Sequence, residues 1–132
     1  MKIEYLADGS PDCPLIRIFD FDAVQVELLI NQFSYLANGQ AGSITFHELP
    51  YIESVNNCKL TARVGPLRLN GEAVVAILPN GVNNSFHWQI EKENWAKVCD
   101  LIAPFLIHKP NTYQWLTDDM GIQVLLSQNG LW

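Results

Sequence analysis

Between Ala23 and Asn38 the apolar residues Val26, Leu29, Ile30, Phe33, Leu36 and Ala37 recur at helical spacing and share one stripe. Asp22 precedes the stripe and Gln25 follows three residues later, which is the pattern of a capping box, with Phe21 and Val26 placed as a hydrophobic staple. Gly39 supplies a residue that leaves a helix easily with positive φ. This predicts a helix over about 23–38. A second amphipathic helix is predicted from about Lys92, with Trp95, Val98, Cys99 and Ile102 on its buried stripe and Ile90 and Trp95 as a staple. Pro104 limits it, because the residue before a proline avoids the α region.

Elsewhere the period is two. Strands are predicted near Lys2–Leu6, Leu15–Phe19, Ser43–Glu48, Leu60–Val64, Ser85–Ile90, Thr112–Leu116 and Ile122–Ser127. In the third of these Ile44 and Phe46 share one face and Thr45 and His47 the other; in the fifth Phe86, Trp88 and Ile90 face inward. Glu72–Leu78 is apolar on both faces and predicts a central strand covered twice. Gly65-Pro66 reads as a bulge, since proline cannot donate to a central ladder.

Four Asn-Gly pairs, Asn38-Gly39, Asn70-Gly71, Asn80-Gly81 and Asn129-Gly130, mark helix ends and tight turns. At Asn70-Gly71 a two-residue hairpin is expected, with positive φ at both residues and with Leu69 opposite Glu72 and Leu67 opposite Val74. Helices do not alternate with the middle strands, so parallel winding is not expected. The expected fold is α+β: a mainly antiparallel meander sheet with both amphipathic helices packed on one face.

At 132 residues with 48% hydrophobic side chains, residues 1–132 fit a single globular domain. No apolar run approaches the roughly 18 residues that span a bilayer, so no membrane partner is expected. Glu4 stands where a signal peptide would begin its apolar stretch, and a cytoplasmic location is the simplest reading. The formal charge is −6 and it is uneven: residues 1–58 hold eight acids and two bases, residues 59–132 six of each. An acidic chain without a basic footprint disfavours nucleic acid as a partner. Cys13, Cys58 and Cys99 are odd in number and far apart, which argues against a disulfide framework and a zinc site.

Three constellations bear on chemistry. The apolar strand Leu15-Ile16-Arg17-Ile18-Phe19 ends in Asp20-Phe21-Asp22 and resembles the first motif of haloacid-dehalogenase-type phosphatases. The resemblance implies Asp20 as nucleophile and Asp22 as general acid beside a magnesium ion, which offsets the repulsion between a carboxylate and a phosphoryl group. That family continues with a glycine and a hydroxyl residue, whereas this chain has Ala23 and Val24, and Asp118-Asp119 sits in a turn-like context. With Asp22 accounted for as a cap, Asp20 and Asp22 are expected to serve structure, with no metal and no cofactor.

His47 and His87 fall on the polar side of alternating strands and His108 in a loop. With Arg63 on a nearby strand, His47, Arg63 and His87 are the candidate residues for an anion or small-ligand site on a polar sheet face. No nucleophile elbow or phosphate-cradling glycine loop occurs. Among the tryptophans, Trp88 and Trp95 read as core, whereas Trp132, with Leu131, is the candidate interaction residue.

Without a complete catalytic set the balance leans away from an enzyme. The expectation is a non-catalytic interaction or regulatory domain with a protein partner or with itself, a homodimer being preferred. The alternative is a small enzyme or ligand-binding domain built on His47, Arg63 and His87.

Overall fold

The computed structural model describes residues 1–65, 68–69, 72–73, 77–79, 84–107, 112–117 and 121–132, with residues 68, 69, 72, 73 and 78 described by backbone only. In chain order the elements are β1 (Lys2–Leu6), β2 (Leu15–Phe19), α1 (Ala23–Ala37), β3 (Ser43–Thr45), β4 (Glu53–Ser54), β5 (Lys59–Val64), β6 (Arg68–Leu69), β7 (Glu72–Ala73), β8 (Ile77–Pro79), β9 (Ser85–Ile90), α2 (Lys92–Ile102), β10 (Tyr113–Trp115) and β11 (Gln123–Ser127). Short 3-10 helices occupy Phe46–Glu48, Val55–Asn57 and Ala103–Leu106.

The fold is α+β, and its sheets are mixed. The first sheet has the order β10-β11-β2-β1-β4, the second β3-β5-β9-β8, and β6 and β7 form a separate hairpin. Three pairs are parallel, β1 with β4, β2 with β11 and β5 with β9, which corrects the expectation of a mainly antiparallel meander. The reason is topological. After β2 the chain starts the second sheet, touches the first again at β4 beside β1, completes the second, and after α2 lays β11 beside β2 in the same direction.

Helix α1 forms where its capping box predicts. Asp22 Oδ1 accepts from Gln25 N at 2.9 Å, and Gln25 Oε1 accepts from Asp22 N at 3.1 Å, so two backbone donors at the helix start are satisfied. At the other end Gly39 has φ +81°, a conformation that side chains with a Cβ rarely adopt. Helix α2 runs beside α1 in the opposite sense, with Cys99 against Ser34 and Trp95 against Phe33. Pro104 does not stop the chain from coiling; it changes the coil from α to 3-10 at Ala103–Leu106.

The two helices and the inward residues of both larger sheets share one apolar cluster, rather than lying together on one face of a single sheet. Its aromatic hub is Phe33, which stacks on Trp95 at 5.0 Å and Phe46 at 5.8 Å and meets Trp88 edge-on at 5.6 Å. Each fully buried side chain of this size contributes on the order of 1.5–3 kcal/mol through burial alone.

Two further expectations change. The strand predicted at Ser43–Glu48 ends at Thr45 and coils at Phe46–Glu48, where Leu49 N bonds back to Phe46 O at 3.2 Å. The apolar segment Glu72–Leu78 is not central where it is described: β7 at its start pairs with β6, β8 at its end is an edge strand beside β9, where Pro79 leaves no ladder donor unused, and residues 74–76 lie outside the described residues. The hairpin register holds where it is described, with Leu69 opposite Glu72. Asn70-Gly71, Leu67, Val74, Pro66 and Asn80-Gly81 lie outside the described residues. Among the described residues no helix is long and apolar enough to cross a membrane.

Candidate functional site

The polar face of the second sheet is built by parity. Residues paired across a ladder share a face, so Thr61 and Arg63 of β5 stand with His87 and Gln89 of β9, and with Ser43 and Thr45 of β3. Arg63 Nε donates to Gln89 Oε1 at 2.8 Å, and Trp95 Nε1 donates to Arg63 O at 3.2 Å, which anchors α2 to this strand. Burial lowers the His87 imidazole below its ordinary value, and the Arg63 guanidinium adds to the effect by opposing a second positive charge.

His47 does not join them as a free ring. It sits on the 3-10 turn after β3, and its Nδ1 accepts from Leu60 N at 3.1 Å. The imidazole thus takes over the hydrogen bond that a further β3 residue would have made to β5. Arg63 and His87 share a face; His47 is a backbone strut.

Asp20 and Asp22 are also occupied. Asp20 has φ +55° and pairs with Lys2 at 3.1 Å, and Asp22 caps α1. Among the described residues no group of three or more His, Cys, Asp or Glu could hold a metal ion. Two of the thiols are subdued: burial, helped by the nearby Glu4 charge, pushes Cys58 up to about 12, and burial also raises Cys99. His108 and Asp118-Asp119 lie outside the described residues.

The outer face of the first sheet carries the more distinctive arrangement. Ile16 and Ile18 face the main core, which turns Leu15, Arg17 and Phe19 of β2 and Leu125 and Ser127 of β11 to the other side. Yet Leu15, Leu125 and Ser127 are fully buried, and the turn after β11 folds back against this face at Arg17, Phe19 and Ser127. Gly130, at φ +79°, has so little room that an added Cβ would lie 3.0 Å from Arg17 Nη1 and 3.3 Å from Phe19 Cδ2. Arg17 Nη1 donates to Gly130 O at 2.9 Å, Arg17 pairs with Glu4, and its Cζ lies 4.2 Å from the Phe19 ring centre.

Beyond that turn, Ser127 Oγ donates to Leu131 O at 2.5 Å and Leu131 N donates to Asn129 Oδ1 at 3.0 Å, so the final segment is held in place. Trp132 Nε1 then donates to Asp12 Oδ2 at 2.9 Å. Asp12 is itself oriented by Ser10, whose Oγ accepts from Asp12 N at 3.2 Å. These contacts border an open groove of about 410 Å³ lined by Gly9, Ser10, Asp12, Tyr113, Leu131 and Trp132. Tyr113 is 47% exposed, Leu131 68% and Trp132 37%.

Trp132 and Leu131, singled out from the sequence, therefore line a groove, and Trp132 is docked while keeping over a third of its surface in water. Asp12 and Tyr113 were missed. Asp12 read only as a turn former, and its link to a residue 120 positions away leaves no local signal. Tyr113 offered a weak one, an aromatic on the polar phase of a short strand. Chemically the groove offers aromatic faces, a carboxylate and a hydroxyl, a set suited to holding a cation with an apolar stem. No family model, curated protein or solved structure matches this chain.

Proposed function

We propose that this chain is a non-catalytic interaction module whose binding surface is the groove between the loop at Gly9–Asp12 and the segment at Leu131 and Trp132, and whose partner is a basic segment of another protein. The observation that carries the reading is the grouping of Trp132, Tyr113 and Leu131, all partly exposed, around Asp12, with no basic residue among the described residues of the lining. Tyrosine and tryptophan bury large area at low entropic cost, and a carboxylate beside aromatic faces favours arginine or lysine. The excess of acids over residues 1–58 adds a field of the same sign, which speeds encounter with a basic partner.

The alternative, an anion site around His47, Arg63 and His87, is weaker. His47 is committed to Leu60 N, and Arg63 directs its Nε to Gln89. An amide-resolved titration separates the two. Oligo-arginine added at low salt is expected to shift resonances at residues 8–13, 113–115 and 128–132, with the response weakened by salt and by Asp12→Asn or Trp132→Ala. Shifts confined to residues 61–63 and 85–89 on adding phosphate, with none from oligo-arginine, would replace this reading with the anion site.

A further inference from the structure

We infer that the basic segment binds as an added antiparallel strand along the open edge of β10, so that sheet completion supplies the contact and the groove selects the side chains. This rests on the groove being the partner site. The edge follows from the ladder. Leu116 N donates to Val124 O at 2.8 Å, and main-chain direction alternates residue by residue, so Gln114 also faces β11. Tyr113 and Trp115 therefore direct their N–H and C=O groups away from the sheet. β10 is the terminal strand of its sheet, and among the described residues nothing pairs with its outer side. Gln114 Nε2 covers Trp115 O at 2.9 Å, which leaves Tyr113 N–H, Tyr113 C=O and Trp115 N–H for a newcomer.

Within β10 itself the usual protections of an edge are missing. Tyr113, Gln114 and Trp115 carry no charge, and none is a proline. The edge and the groove are also continuous, because Tyr113 belongs to both. In an antiparallel pair the residue opposite Tyr113 places its side chain on the same face, about 5 Å away. A strand added there sets every second side chain beside the Tyr113 ring, on the Asp12 side of the sheet.

Charge decides the occupant. A second copy pairing through the same edge would bring two acidic molecules of charge −6 together, with the loops carrying Asp8 and Asp12 on both. A strand with arginine or lysine at alternate positions meets the opposite sign and gains the cation–aromatic contact.

The test uses the intact chain and an acetylated, amidated hexapeptide of alternating arginine and valine. Two isomers carry backbone N-methyl groups, one on the arginines and the other on the valines. In the antiparallel arrangement the residues whose side chains lie beside Tyr113 also direct their N–H groups at β10. Methylating the arginines is expected to weaken binding by about tenfold or more, while methylating the valines is tolerated. On binding the unmodified peptide, the Tyr113 and Trp115 amides are expected to exchange more slowly with deuterium. Equal binding by both isomers, with unchanged exchange at Tyr113, would overturn strand addition and leave the groove standing. No binding by any of the peptides would overturn both, and so would a stable dimer in light scattering whose Tyr113 amide is already protected.

Discussion

Arg17 stands directly opposite Glu4 on the neighbouring strand, and its guanidinium also reaches Gly130 O at 2.9 Å, 113 residues further along the chain. With side-chain exposures of 23% and 12% the pair is mostly sheltered, so each charge depends on the other. Arg17→Met is expected to cost about 2–3 kcal/mol, below the range for full burial because some water reaches the pair. The double variant Glu4→Gln, Arg17→Met should recover part of that loss. Urea unfolding of the single and double variants measures both. A loss under about 0.5 kcal/mol for the single variant would place the pair with ordinary surface ion pairs.

Asp22→Ala removes one half of a reciprocal cap. The loss should be about 1 kcal/mol, and up to about 2 if the Gln25 side chain also releases Asp22 N. Asp22→Asn should retain most of the stability, since the amide oxygen still accepts from Gln25 N. Thermal unfolding that ranks alanine and asparagine equally would show that the cap contributes little to this helix.

Phe33 is the shared contact of Phe46, Trp88 and Trp95. Phe33→Ala should destabilise by about 3–5 kcal/mol, and Phe33→Leu by clearly less, because a smaller cavity remains. Near-ultraviolet circular dichroism should weaken as well, since the indoles of Trp88 and Trp95 lose a fixed neighbour.

Acid should weaken the fold through His87. Its folded value is lowered by burial and by Arg63, so in the window from pH 6.5 down to that value the unfolded chain binds the proton and the folded chain does not. Stability then falls as pH falls through the window and levels off below it. His87→Gln should flatten that part of the stability profile without altering the response of the carboxylates at lower pH. A wild-type slope that survives the substitution would assign the effect to another group.

The cysteines should separate by reactivity. Cys58 is buried and pushed up to about 12, whereas Cys13 is half-buried in the loop between β1 and β2. A thiol reagent at pH 8 is expected to label Cys13 well before Cys58 in the native protein, and all three cysteines in denaturant.

What the sequence disclosed was local. The capping box at Asp22 and Gln25, Gly39 beyond the helix, and the alternation of Ser85–Ile90 each act within a few residues, and each appears in the fold. The parallel pairs were hidden because no single stretch of chain carries their cause; β2 and β11 meet only after the whole second sheet intervenes. The end of β3 was hidden for a different reason. His47 has the alternation of a strand residue, but its ring satisfies Leu60 N and lets the backbone coil. At the groove, Trp132 was visible as an unassigned aromatic, while Asp12 gained its role only when the turn at Gly130 brought the two together.

The parallel pairing of β2 with β11 also sets a timetable for synthesis. At roughly 5–20 residues per second, β2 is made about 5–20 seconds before β11 exists to cover its second edge. Through that interval the emerging hairpin of β1 and β2 offers an apolar strand, Leu15-Ile16-Arg17-Ile18-Phe19, to any other nascent chain nearby. One cation stands at its centre. Until the turn at Gly130 is made, Arg17 and the Glu4 beside it put charge in the middle of this hairpin, where it serves as a gatekeeper and keeps a waiting strand from sticking to its copies.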